Sequence, residues 1–449
     1  MGQKIDRTYL FERMPVGQAV RRQIIPSIAS QMVILLYNLA DTYFVGLLND
    51  AAQTAAVSLA YSVTLLMTAL ANLFAVGGAG RIAQLLGRHD RDGAREVCAV
   101  SFWFALLASA AFCVLFTLLS SPILRLCGAT DETYALACGY SRWVISVGGT
   151  FSILNTVLAN LIRADGSAFA ASMGVSAGGI INMLLDPLFV LPRFLGMGAE
   201  GAGLATAISN AAGMLILLGI IAARRRVGVV ALRPGDLRAA RRHIGRILRI
   251  GLPSAVQFLL TLVAVGALTK FMSLYDTAAV AALGIVKKLD MLPLYFSIGV
   301  ANGLLPLLAY NYSAENHERR HRIFLCGCAV AVGFSVACVA GYEVFAPALV
   351  RIFIGDAQTI AYGTKLLRIM VLAMPMMSVC YPMITQFQAM GRMRESLICS
   401  ILRKGSLDIP LLFVLNALFP LYGCAAVQPI VDCICMIVAI YFYKKLPTA

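Results

Sequence analysis

The stretch AFAASMGVSAGGIINMLLDPLFVL, residues 168–191, contains a single charged side chain, Asp186, in twenty-four residues. A run of that length and apolarity matches the hydrocarbon thickness of a bilayer when coiled as a helix. Apolar and polar residues do not alternate along it, so it does not read as a barrel strand. Working outward, similar runs cover 24–48, 57–86, 97–118, 140–161 and 203–223, completing six spans with 168–191. Six more follow at 250–274, 280–310, 323–345, 366–389, 397–419 and 422–442. The chain of 449 residues is 60% hydrophobic and 13% charged, with mean hydropathy +0.81, more apolar surface than a water-soluble core can hide. In lipid the backbone must satisfy its own hydrogen bonds, so the reading is an all-α integral membrane protein of twelve transmembrane helices.

The formal net charge of +15 would suggest nucleic acid as a partner of a soluble protein. Its distribution excludes that. Lys4, Arg7, Arg13, Arg21 and Arg22, then Arg88, Arg91 and Arg95, then the basic segment 224–249 all fall on one side. Arg319, Arg320, Arg322, Arg392, Arg394, Lys444 and Lys445 fall there too, whereas the opposite loops offer Arg125, Arg193 and Arg351. This asymmetry places both termini in the cytoplasm. The first twenty residues carry Asp6, Glu12 and several bases, with no early apolar core, so no removed signal peptide is expected and the first span stays as an anchor. The twelve cysteines are scattered. Cys326 and Cys328, like Cys433 and Cys435, stand two apart, which points them in different directions on a helix and is not metal-ligand spacing. Cys127 and Cys138 flank one outer loop, and no disulfide is expected there.

The two halves repeat at a shift near 225 residues. Pro26-Ser27 answers Pro253-Ser254, and Thr54-Ala55-Ala56-Val57 answers Thr277-Ala278-Ala279-Val280. Ala164-Asp165-Gly166 answers Ala389-Met390-Gly391, and Leu188-Phe189-Val190-Leu191 answers Leu412-Phe413-Val414-Leu415. Four matches in order at a nearly constant offset indicate duplication. Six spans per half is an even number, so the halves enter the membrane alike, related by an axis along the membrane normal. The expected organisation is an N-terminal six-helix lobe over 1–223, a cytoplasmic basic linker over 224–249 and a C-terminal six-helix lobe over 250–449. In the linker Leu237, Ile244, Ile247 and Leu248 share a helical face beside many arginines, which reads as an interfacial amphipathic helix.

Enzymatic readings fail on their parts. The four histidines, His89, His243, His317 and His321, lie in cytoplasmic segments; neither HExxH nor a phosphate-cradling GxxxxGK[ST] loop is present. Gly174-Val175-Ser176-Ala177-Gly178 fits GxSxG, but mid-helix and with no membrane histidine to serve it, so it reads as a close-packing face.

Acids inside spans are costly and face the interior or a partner. Six qualify: Asp41, Asp186, Asp290, Glu343, Asp408 and Asp432. Lys287 three residues before Asp290 and Lys404 four before Asp408 suggest pairs along their own helices. Glu343 lies near the outer interface, within reach of water. Asp41 and Asp186 lack a base within a helical turn and carry amides on the same face, Asn38 and Asn182. A buried carboxylate without a fixed cation must hold a proton or bind a mobile cation. Pro187 removes a backbone donor and frees the Met183 carbonyl as a further ligand. Asp432, beside Gln428, is locally unpaired and is a weaker rival.

Several motifs bear a family resemblance. Pro26-Ser27, Tyr37-Asn38-Leu39-Ala40-Asp41-Thr42 and Phe44-Val45-Gly46 resemble the first helix of the multidrug and toxic compound extrusion (MATE) family. Arg163-Ala164-Asp165-Gly166, Asn182-Met183-Leu184-Leu185-Asp186-Pro187, Gly201-Ala202-Gly203-Leu204-Ala205-Thr206 and Tyr310-Asn311-Tyr312 resemble its later motifs, so the likeness spans essentially the whole chain. It implies a V-shaped pair of pseudo-symmetric six-helix bundles in a bacterial plasma (inner) membrane. It implies export of small organic, cationic compounds in exchange for H⁺ or Na⁺, with membrane lipids as surroundings, no cofactor, no metal beyond Na⁺, and a monomer. By the same resemblance Asp41, Asn182, Asp186 and Thr206 fall on a first-lobe cation site, with Tyr37 beside it, and Pro26 where the first helix bends. One branch of the family carries acids in the seventh and tenth helices. Here 250–274 and 366–389 contain neither Asp nor Glu, so the chain looks like the DinF-like branch, with Asp408 and Asp432 the remaining second-lobe candidates.

A flippase of lipid-linked precursors is the alternative. It would line its cleft with several cations for pyrophosphate, for which Lys270, Lys287, Lys288 and Lys404 are candidates. The Met-rich stretch Met370, Met374, Met376, Met377 and Met383 reads as ordinary helix packing.

Overall fold

Apolar runs that must satisfy their backbone internally become helices, and no strand occurs among the described residues. A computed structural model describes residues 8–48, 50–225 and 228–446; Lys4, Asp6, Arg7 and Arg226 lie outside them. Nine single helices among the described residues are long and apolar enough to cross a bilayer, and two bent pairs raise this to eleven. The twelfth span is the interrupted segment from Met393 to Leu418. The first lobe contains Val16–Gly46, Ala51–Gly87, Arg91–Leu126, a bent fourth span from Asp131 to Ala164, Ala168–Val190 and Gly198–Ala223. The second contains Ala240–Met272, Thr277–Ser313, His317–Arg351, a bent tenth span from Ala357 to Ala389, the interrupted eleventh and Tyr422–Lys444.

The duplication is visible in the defects as well as the helices. The fourth span bends by 45° and the tenth by 43°. The first bend has Gly148, where a Cβ would lie 2.7 Å from the Trp143 carbonyl oxygen and 2.9 Å from the Ala207 methyl. The second bend precedes Pro375, which cannot donate to the carbonyl four residues back. By contrast, Val16–Gly46 runs unbroken through Pro26.

The linker differs from the expected interfacial helix. Pro234–Ala239 is a short 3₁₀ turn, and the helix from Ala240 continues directly into the seventh span. Its His243, Ile247 and Ile250 are buried and Ile244 packs against the core, while Leu248 stays exposed. The Glu96 carboxylate lies 2.8 Å from His243 Nε2, and Asp165 Oδ1 accepts from the Val229 amide at 3.2 Å.

The lobes meet through their cytoplasmic halves. Gly77 approaches the Ile247 backbone, Gly299 packs on Ile28, and Gly303 packs on Gln23 and Ile24. Gln84 Nε2 donates to the Ala389 carbonyl at 2.9 Å. The segment before the first span adds a strap: Phe11 stacks on Tyr310 at 4.6 Å and its carbonyl accepts from Arg319 Nε at 2.8 Å. Arg319 also donates to the Met14 carbonyl at 2.7 Å, and Tyr310 donates to Glu12 at 2.6 Å. The Tyr310-Asn311-Tyr312 motif is thus the dock of the strap. Gly166, at φ +79°, faces it from the first lobe, in contact distance of Leu10 and Phe11.

Candidate functional site

Asp41, Asn182, Asp186 and Thr206 come from the first, fifth and sixth spans and meet inside the first lobe. Asp41 is 7% exposed and Asp186 0%. Thr206 Oγ1 donates to Asp41 Oδ2 at 3.5 Å, while Asn182 Nδ2 donates to Thr206 Oγ1 at 3.3 Å and to Asp186 Oδ1 at 3.4 Å. The two carboxyl groups themselves stand within hydrogen-bonding reach. Asp41 Oδ1, Asp186 Oδ2 and Asn182 Oδ1 are buried without a hydrogen-bond partner. Among the described residues neither acid takes part in an ion pair with a basic side chain. Hard oxygen donors in this number suit a shared proton or an alkali cation, since two adjacent buried carboxylates cannot both stay charged alone.

The close helix packing that builds this cluster comes from glycine. A Cβ on Gly179 would lie 2.6 Å from Val33 and 3.1 Å from the Tyr37 ring, so the fifth span seats Tyr37 against its backbone. A Cβ on Gly203 would lie 2.8 Å from the Tyr140 carbonyl. Tyr140 is a member that sequence reasoning missed: it is buried and within Coulombic reach of Asp41, Asp186 and Tyr37. It lies in an apolar run with no local mark. Asn210 was also missed, and its signal was legible, one helical turn after Thr206. Its Nδ2 donates to the Thr206 carbonyl at 2.9 Å and its Oδ1 accepts from Asn155 at 3.4 Å. Asn38 points elsewhere, donating to the Tyr295 hydroxyl of the second lobe at 3.4 Å.

The second-lobe acids are arranged differently from their sequence reading. Asp432 is not unpaired: Arg403 Nε lies 2.8 Å from its Oδ1, both side chains being essentially inaccessible, and Gln428 Nε2 donates to Oδ2 at 2.9 Å. Asp408 does not pair with Lys404 along a helix. The eleventh span opens into a π turn at Leu402–Ser406 with Lys404 at φ −137°, ψ 26°, and Lys404 Nζ donates to Gln428 Oε1 at 2.5 Å. Asp290 and Lys287 form no ion pair among the described residues. Glu343 meets Arg368 at 3.6 Å near the surface.

A helical membrane protein of two six-span lobes, with an acid pair buried in one, has the build of a membrane transporter. The chain belongs to the MatE family, whose profile matches it twice, over residues 26–188 and 253–414. It is 29% identical to the multidrug export protein MepA of Staphylococcus aureus over 97% of this chain and 95% of that protein. An outward-facing multidrug resistance MATE family transporter of the MOP superfamily superposes with a TM-score of 0.90 at 25% identity, covering 98% of both chains. A MOP superfamily transporter from Pyrococcus furiosus, described as having a binding pocket of reverse polarity that suggests a different function, superposes at 0.91 with 25% identity, covering 99% of this chain and 98% of that one. The protein is a multi-pass integral membrane transporter, not an enzyme.

Proposed function

We propose that this transporter exports organic, cationic compounds in exchange for H⁺ or Na⁺, with Asp41 and Asp186 holding the coupling ion and Asn182 and Thr206 orienting them. The observation that carries the reading is the contact of two buried acids, bridged by an amide and a hydroxyl, with no fixed cation beside them. The likeness to MepA, a multidrug export protein, supports the substrate class. Aromatic surface supports it too: Tyr295 stands within Coulombic reach of Tyr37, Tyr61 and Tyr381, bringing both lobes to one place, and ring faces attract organic cations.

In the cycle, ion entry neutralises the acid pair, the first lobe repacks, substrate leaves outward, and the lobes rock about the central cleft. One ion exchanged for one monovalent cation carries no net charge, so such a cycle runs on the ion's concentration gradient. A second ion per substrate would add about 2.3 kcal/mol per 100 mV. The test is dye efflux from proteoliposomes with proton and Na⁺ gradients imposed separately. Asp41→Asn should lose the response to the driving ion; a full response would remove this site from the mechanism. The flippase reading rests on Lys270, Lys287, Lys288 and Lys404 as cleft cations, and of these Lys404 is hydrogen-bonded to Gln428.

A further inference from the structure

The first-lobe cluster is built by the first, fifth and sixth spans, and in the second lobe a cavity lies where the corresponding seventh, eleventh and twelfth spans meet the eighth and tenth. That cavity is lined by Leu268, Lys287, Lys404, Asp408, Leu412 and Gln428. Leu268 stands 227 residues after Asp41, the shift that separates the starts of the two family matches. Gln428 stands five residues after Gly423, as Thr206 stands five after Gly201, and each glycine abuts the carbonyl of the preceding span, Leu415 and Phe189 respectively. The equivalent place therefore exists in both lobes with different contents. The first holds two acids and no base. The second holds Asp408 and Asp432 against Lys287, Arg403 and Lys404, all within Coulombic reach of Lys404.

Lys404 is the centre of the second arrangement. The π turn takes it off the helical path, and its ammonium lands on Gln428, the counterpart of Thr206. Asp408 remains 7% exposed with Oδ2 unpartnered. We infer that Lys404 is a tethered cation that takes, in the second lobe, the place a mobile ion takes in the first, so that only one lobe exchanges ions. This deepens the proposed coupling role of Asp41 and Asp186 and rests on it. A net excess of fixed positive charge around Asp408 repels a mobile cation, whereas the first lobe attracts one.

The experiment counts cations bound by the purified full chain, using radioactive Na⁺ at fixed pH and proton uptake after an acid pulse. Wild type should show one binding event per chain, lost in Asp41→Asn. Lys404→Met combined with Lys287→Met, which leaves Asp408 without a base, should gain a second event, and adding Asp408→Asn should remove it; Lys404→Arg should stay at one. A folded protein carrying Lys404→Met and Lys287→Met that binds a single cation overturns the inference. If that variant does not fold, Asp41→Asn alone decides: residual binding that is abolished by adding Asp408→Asn shows that the second lobe already exchanges ions, and complete loss supports the tether. Failure of the first-lobe reading looks different, because binding would then survive Asp41→Asn and also survive its combination with Asp408→Asn.

Discussion

Gly251 of the seventh span lies so close to the Leu73 carbonyl of the second that no side chain fits between them. This contact belongs to the cytoplasmic closure between the lobes, and it is backbone against backbone. Gly251→Ala should force the helices apart at a cost of about 1–3 kcal/mol, roughly fivefold to a hundredfold in favour of the state open to the cytoplasm. Gly266→Ala on the same helix, where a Cβ meets nothing within 4 Å, is the control. Labelling of cysteines placed on the inner half of the cleft should rise in the first variant and stay unchanged in the second.

The buried Arg403 and Asp432 pair should behave as a unit. Removing one partner leaves an uncompensated charge, so Arg403→Met is expected to cost about 3–5 kcal/mol, while Arg403→Met with Asp432→Leu should recover most of it. Thermal melting in detergent measures both. A double variant as unstable as the single would show that the cost comes from packing on Tyr381, over whose ring the guanidinium sits at 4.3 Å.

Within the first-lobe cluster, Asn182→Leu removes the side chain that joins Thr206 to Asp186. Its loss should weaken ion affinity roughly fivefold to a hundredfold, since two hydrogen bonds of about 0.5–1.5 kcal/mol each disappear. Gly179→Ala should act indirectly, by pushing the Tyr37 ring. Ion titration of transport separates the two: the first variant shifts the ion dependence, and the second shifts mainly the dependence on substrate.

At the outer end of the tenth span Asp356 caps the helix, accepting from the Thr359 hydroxyl at 2.7 Å and amide at 2.8 Å. These bonds hold its carboxyl below the usual carboxylate range. A depressed folded value means that the cap stabilises above the unfolded value and is lost as pH falls through the folded one. Hydrogen exchange at the start of Ala357–Val371 should therefore accelerate on acidification, and Asp356→Asn should flatten that dependence.

Much of this was legible in the chain. Hydrophobic run length placed the membrane segments within ten residues of the observed helix ends, because burial in lipid leaves the backbone no other choice. The acids of the first lobe stood out because nothing near them in sequence neutralises them. The second lobe misled for the converse reason: Arg403 and Asp432 are 29 residues apart, and only packing of the eleventh span on the twelfth brings them together. Lys404 was spaced correctly for Asp408, yet a π turn between them redirects it, and π turns leave little trace in composition. The basic linker carried a true amphipathic face, and only packing shows that Ile247 enters the core while Leu248 stays exposed.

The strap before the first span has a consequence for how the molecule is made. Phe11 leaves the ribosome some 300 residues ahead of its docking site, Asn311 and Arg319. At ordinary synthesis rates that interval is on the order of half a minute. Throughout it the first lobe must insert and hold its shape with the strap undocked, its aromatic ring lacking a partner. Docking of the strap therefore waits for the eighth and ninth spans, long after the first lobe has been made.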